Sequence, residues 1–203
     1  MSVMKLDVYL KEKRKLVDGH LKKYISSKKK DTDCPRHLSE AMSYALTAGG
    51  KRVRPILCIA GYEAVGGTSD TILPVAASLE LIHTYSLIHD DLPAMDDDDF
   101  RRNHPATHKV YGEATAILAG DALLTDAFYM ISQSRAKPKI LINIIGELSR
   151  ASGAEGTQEG GSRRSPRGEP GRVVWRLRGV GRRLRKDGRQ PPARVPGQRT
   201  TAK

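Results

Sequence analysis

Between Ile88 and His108 the chain reads IHDDLPAMDDDDFRRNHPATH, with six carboxylates inside ten residues and Arg101 and Arg102 directly after them. Carboxylates this dense repel one another unless cations neutralise them. Hard oxygen donors with no Cys among them suit Mg²⁺, which binds through a few carboxylates and completes its shell from substrate phosphates and water. Arginines beside such a site make bidentate contacts with phosphate. Acid, cation, diphosphate and guanidinium would then form one chain of alternating charge. An isolated Asp run is ordinarily a solvated loop. Here Asp90 and Asp91 grow out of the least polar stretch of the chain, where unneutralised charge is costly.

A second cluster is basic. In GGKRVRP at 49–55, two glycines expose backbone while Lys51, Arg52 and Arg54 supply three positive groups in four residues. His83 lies seven residues before Asp90, on the same face of a helix and about two turns, roughly 10 Å, from it. Each feature alone is a helix stop, a basic turn or a packed histidine. Together they suggest two phosphate sites, one reached through a cation and one through direct basic contacts.

The elements that would position these residues are helices. Lys5 to Ile25 carries Leu6, Tyr9, Leu10, Leu16, Val17, Leu21 and Tyr24 at helical spacing, and SSKKKDTDCP is expected to end it as a solvated loop. A second helix is predicted from Leu38 to Thr47, stopped by Ala48, Gly49 and Gly50, and a third starts near Pro55. Thr71 to Asp91 is apolar or small except for Glu80, His83, Thr84 and His89, which predicts a helix buried on most sides at the centre of the fold. After a loop around His104 and Pro105, Ala114 to Ser132 and Ile140 to Ser152 give two more helices. No alternating strand pattern is present, so the fold class is all-α.

Two cysteines, Cys34 and Cys58, are too few for a disulfide framework and read as thiols of a reducing compartment, the cytoplasm. The first fifteen residues lack the apolar core of a signal peptide, and no stretch is expected to reach the roughly 18 apolar residues of a membrane span. The formal charge of +12 is unevenly placed: residues 1–156 hold 21 Lys+Arg against 20 Asp+Glu, and residues 157–203 hold 14 against 3. The latter segment has 12 Arg to 2 Lys, with 8 Gly and 5 Pro in 47 residues, a composition too poor in apolar groups to order itself. The chain therefore divides at about Gly156 into a helical part, 1–156, and an Arg/Gly/Pro-rich tail, 157–203.

AGGKRVRP, LELIHTYSLIHDDLPAMDDDDFRRNHPATH and YGEATAILAGDALLTDAF resemble the first half of the bacterial farnesyl diphosphate synthases (geranyltranstransferases) of the polyprenyl synthetase family. That resemblance implies the isoprenoid-synthase helical bundle, present here as roughly its first half, and a homodimer if the bundle is intact. It implies a trans-prenyltransferase that condenses isopentenyl diphosphate with dimethylallyl or geranyl diphosphate by Mg²⁺-assisted ionisation, with no side-chain nucleophile. Asp90, Asp91 and Asp96 match the first aspartate-rich motif that holds Mg²⁺ on the allylic diphosphate, and Arg101 matches a contact to that diphosphate. Lys51, Arg54, His83 and Arg102 match the positions that bind isopentenyl diphosphate. Tyr85 and Ser86 match the positions that set product length, with the bulk of Tyr85 favouring a C15 product over the C20 of a geranylgeranyl diphosphate synthase.

The family's second aspartate-rich motif and its Lys-Thr pair have no counterpart here, and the break after ASGAEG is abrupt, as a shifted reading frame would make it. The chain as written is therefore expected to be inactive. A helical module whose basic tail binds nucleic acid is the competing class, disfavoured because the tail offers one aromatic, Trp175, for base stacking.

Overall fold

The computed structural model of the chain describes residues 5–154 and the backbone of two short strands beyond them, Thr157–Glu159 and Val173–Trp175. Seven helices dominate: α1 (Leu6–Lys30), α2 (Arg36–Thr47), α3 (Val53–Ala64), α4 (Ile72–Asp90), α5 (Thr107–Tyr111), α6 (Glu113–Ser132) and α7 (Pro138–Ser152). The all-α expectation holds, with a minor addition of sheet. β1 (Phe100–Arg101) and β2 (His104–Pro105) form an antiparallel hairpin, and the strand Thr157–Glu159 pairs antiparallel with Val173–Trp175. The tail expected to be without order otherwise lies outside the described residues.

α4 is the axis of the fold. Val75, Ala76, Ala77, Leu81, Ile82, Tyr85 and Ile88 are all buried, so this helix has no solvent face along most of its length. α6 lies along it through Ala116, Ala119, Leu123, Ala127 and Ile131, small residues alternating with large ones so that the two backbones approach closely. Gly120 marks the tightest point: a Cβ there would stand 2.2 Å from Nε2 of His89, whose ring nitrogen lies 3.1 Å from the Ile117 carbonyl. By length and composition alone α6 could cross a membrane, contrary to the expectation from the sequence, yet its inner face is spent on α4.

Two local expectations are corrected. α1 does not stop at Ile25 but runs to Lys30. Three lysines in its last turn complement the negative end of the helix dipole, and Lys28 is held at 2.8 Å by Asp126 on α6, the same carboxylate that accepts from the Tyr24 hydroxyl at 2.5 Å. The segment around His104 and Pro105 is the hairpin rather than a plain loop. Its two turn residues, Arg102 and Asn103, both have positive φ, 54° and 64°, the signature of a tight two-residue turn matched to strand twist.

Candidate diphosphate-binding site

α4 ends at Asp90, and the chain beyond it folds back in turns rather than continuing as helix. The Asp96 amide donates to the Asp90 carbonyl at 2.8 Å, and the Asp97 amide donates to the Leu92 carbonyl at 3.1 Å with Asp97 itself at φ 51°. This brings Asp96 back beside Asp90. The consequence is electrostatic: burial first, then the neighbouring Asp96 and Asp91, push the Asp90 carboxyl up to about 6, against a partial offset from Arg101. A pair of carboxylates that resist joint ionisation is a site that gains from a cation.

Asp91 is differently placed. It is 2 % exposed and grips Arg101, which donates through Nε at 2.9 and 3.2 Å and through Nη2 to the same carboxylate, while Nη2 also reaches Asp98 at 3.1 Å. Burial raises Asp91 and the Arg101 hydrogen bonds pull it back, with a net shift upward. Asp98, which the sequence offered only as one more acid, thus helps to aim Arg101. Next to it Lys109 holds Asp99 at 2.6 Å, and His108 is buried with neither ring nitrogen partnered.

The basic cluster assembles from three separate segments. Lys51 is exposed and Arg54 half-buried at the start of α3, His83 is half-buried on α4, and Arg102 comes over from the hairpin turn to donate to the Gly49 carbonyl. Gly50 is needed for that approach: at φ 151°, a Cβ on it would lie 2.7 Å from Nη1 of Arg102. Burial, then Arg54, Arg102, Arg52 and Arg101 in turn, lower His83 to about 4, so it stands neutral among cations at pH 7. Arg52 is not part of this surface. Its side chain is buried and bonds to Asp18 at 2.8 Å, Glu80 at 2.7 Å and the Leu46 carbonyl at 2.8 Å. Tyr85 is 6 % exposed and stacks edge-on against His89, and Ser86 is 2 % exposed with its hydroxyl on the His83 carbonyl at 2.9 Å.

All ten residues singled out from the sequence therefore sit on or around the C-terminal half of α4. Asp90 and Asp96 form one group, Asp91 and Arg101 a second, and Arg54, His83 and Arg102 a third, with Lys51 exposed in the turn before Arg54. A cavity of about 30 Å³, room for a water molecule, lies between α2, the end of α4 and the hairpin, and of the ten residues only Asp91, Arg101 and Arg102 line it. Among the described residues no three His, Cys, Asp or Glu side chains converge as a ready-made metal cage.

A sequence profile of the polyprenyl synthetases matches residues 35–162. The chain belongs to the polyprenyl synthetase family. It is 45 % identical over 163 residues to a farnesyl diphosphate synthase of Geobacillus stearothermophilus, covering 79 % of this chain and 54 % of that one. It is 52 % identical over 130 residues to a chloroplastic heterodimeric geranylgeranyl pyrophosphate synthase large subunit of Arabidopsis thaliana, covering 62 % of this chain and 35 % of that one. In three dimensions it resembles an apo FPP/GFPP synthase from Zymomonas mobilis, with a TM-score of 0.67 and 39 % identity over 73 % of this chain and 55 % of that one. The chain thus spans between about a third and just over half of the length of these relatives, and the aspartate-rich and basic clusters both fall inside the matched region.

Proposed function

We propose that residues 1–156 are the N-terminal part of an isoprenoid-synthase domain, with 157–203 a separate tail, and that they carry both diphosphate sites of a trans-prenyltransferase. The reaction is the condensation of isopentenyl diphosphate with dimethylallyl or geranyl diphosphate to give farnesyl diphosphate. One observation carries this reading: a single buried helix, α4, holds a pair of crowded carboxylates at its end and a neutral histidine amid arginines two turns back. The spacing sets two anionic head groups side by side along one axis.

In this reading Asp90 and Asp96 hold Mg²⁺ against the allylic diphosphate, while Asp91 presents Arg101 to that diphosphate. Bound there, Mg²⁺ supplies charge neutralisation for the departing diphosphate. The protein does the rest. Arg101 takes phosphate oxygens as a fork, and Lys51, Arg54 and Arg102 fix the second diphosphate. His83, lowered to about 4, offers an uncharged N–H to it.

Tyr85 supports a C15 product, because it sets a bulky, buried ring five residues, about a turn and a half, before Asp90. A C20 product is the alternative, given the likeness to a geranylgeranyl pyrophosphate synthase subunit. A homodimeric, cytoplasmic enzyme goes with the same reading, in keeping with two unpaired thiols.

The test is equilibrium binding of geranyl thiolodiphosphate, a slowly ionising analogue, with and without Mg²⁺. Binding is expected to require Mg²⁺ and to be lost in Asp90→Asn. Tight binding without Mg²⁺, or binding that Asp90→Asn leaves intact, overturns the proposal.

A further inference from the structure

The GGKRVRP turn contains three cations, and the fold uses them in two different ways. Lys51 is exposed and Arg54 half-buried, whereas the Arg52 side chain is 5 % exposed and bonded through all three of its nitrogens. Its Nε donates to Asp18 of α1, its Nη1 to Glu80 of α4, and its Nη2 to the Leu46 carbonyl near the end of α2. One guanidinium thus fastens four elements, since Arg52 itself is the N-cap of α3 and its carbonyl accepts the first bond of that helix, from Ile56 at 3.1 Å.

The backbone at Arg52 gives a second, independent observation. It is left-handed, φ 51° and ψ 36°, a conformation that a long side chain adopts only when its surroundings over-determine it. That left-handed step turns the Arg52 side chain inward and leaves Lys51 and Arg54 on the outer side of the turn. The carboxylate that receives Arg52 is itself special. Glu80 is 2 % exposed in the middle of the apolar α4, and it lies three residues before His83, on the same side of the helix. A buried carboxylate is costly unless paired. Here the pairing fixes the register of the turn against the helix that carries His83.

We propose that Arg52 is a positioning residue for the second diphosphate: through Glu80 and Asp18 it locks the 49–54 turn so that Lys51 and Arg54 converge with His83 and Arg102 on one anion. Arg52 touches no phosphate itself. Its three hydrogen bonds all point inward, two of them to carboxylates, so its part is to hold the turn rather than to contact the anion. This deepens the proposed function and rests on the reading of the basic cluster as a diphosphate site.

The experiment is calorimetric titration of the 203-residue protein with inorganic pyrophosphate, free of divalent cations, at a temperature where circular dichroism shows each variant folded. Arg54→Ala tests the underlying reading and is expected to weaken pyrophosphate binding at least tenfold. If the unaltered protein binds no pyrophosphate, or Arg54→Ala is without effect, the basic-site reading fails and this inference with it. Given that dependence on Arg54, Arg52→Lys and Glu80→Gln are each expected to weaken binding about tenfold while keeping their helical signal, because a misplaced pair of cations loses its convergence.

If either variant is folded, lower in melting temperature, and unchanged in pyrophosphate affinity, Arg52 is a structural clamp only and the proposal is wrong. If Glu80→Gln tightens binding while Arg52→Lys loosens it, Arg52 is itself a phosphate ligand and the proposal is also wrong. Should the buried variants fail to fold, Asp18→Asn, at the part-exposed end of the network, gives the same test. A weakening of about threefold supports the proposal and none contradicts it.

Discussion

The amide of Asp96 donates to the carbonyl of Asp90 at 2.8 Å, closing a turn across the end of α4 that a helix would not make. Asp96 lies six positions after Asp90, and a continued helix would have carried it about 9 Å further along the axis. The closure instead brings Asp96 back beside Asp90, and burial first, then that neighbouring charge, raises the Asp90 carboxyl. Much of the chemistry proposed for the chain depends on this one backbone bond.

Proton and metal should therefore compete at Asp90. Because its folded pKa, about 6, lies above the value of 3.8 for a free carboxyl, the stabilising effect of protonation is fully present below pH 4 and is lost as pH rises through 6. Mg²⁺ should restore it only once the proton has left. Thermal melts are expected to show a Mg²⁺-dependent rise at pH 7.5 that disappears by pH 5, and Asp90→Asn should abolish both the pH step and the Mg²⁺ response.

His83 works in the opposite sense. Its folded pKa, lowered to about 4 by burial and the surrounding arginines, means that neutral His83 favours the fold above pH 6.5, an advantage lost as pH falls toward 4. An anion bound among Arg54, Arg102 and His83 should raise that value. Titration of the His83 ring by NMR with and without inorganic pyrophosphate is expected to show an upward shift of about one unit or more.

The aspartate-rich segment, the basic turn and their shared helix were legible in the sequence because each rests on local pattern. Asp90, His83 and Tyr85 are placed by helical periodicity alone, and a long apolar run such as 71–91 predicts its own burial. What was not legible depends on contacts between distant segments. Arg52 read as one more positive group of the basic turn, and its inward role was hidden because its partners, Asp18 and Glu80, lie 34 and 28 residues away. Glu80 was visible as an odd acid in an apolar helix, and that was the available clue. The hairpin at 100–105 escaped because Arg102 occupies a left-handed turn position where Gly or Asn is the usual signal. The last turn of α1 escaped because its lysines read as a solvated loop until Asp126 on α6 is seen to receive Lys28.

Gly120 is a packing requirement rather than a helix breaker. A Cβ at this position meets the His89 ring at 2.2 to 3.0 Å, so Gly120→Ala must displace His89 or part α4 from α6. The expected cost is about 1–3 kcal/mol of stability, typical of overpacking, despite the higher helix propensity of Ala. Urea denaturation of the two proteins measures it. A stabilised variant would mean that the interface at His89 is looser than described.

Tyr85 should set which isoprenoid chain fits beneath the diphosphate. Its ring is 6 % exposed one turn and a residue below Asp90. Tyr85→Ala is expected to shift the ratio of geranylgeranyl to farnesyl diphosphate affinity by about tenfold toward the longer chain, since each methylene newly buried contributes about 0.8 kcal/mol. Competition binding in the presence of Mg²⁺ gives the ratio directly.

The central claim is that α4 carries two separable anion sites, one acidic and metal-dependent at its end and one basic two turns back. The most direct measurement is a pair of titrations on Asp90→Asn and Arg54→Ala, with geranyl thiolodiphosphate plus Mg²⁺ as one probe and inorganic pyrophosphate without Mg²⁺ as the other. The account predicts a crossed result: Asp90→Asn loses the first and keeps the second, and Arg54→Ala keeps the first and loses the second. If both variants lose both probes, or neither loses either, the two-site description of this helix is contradicted.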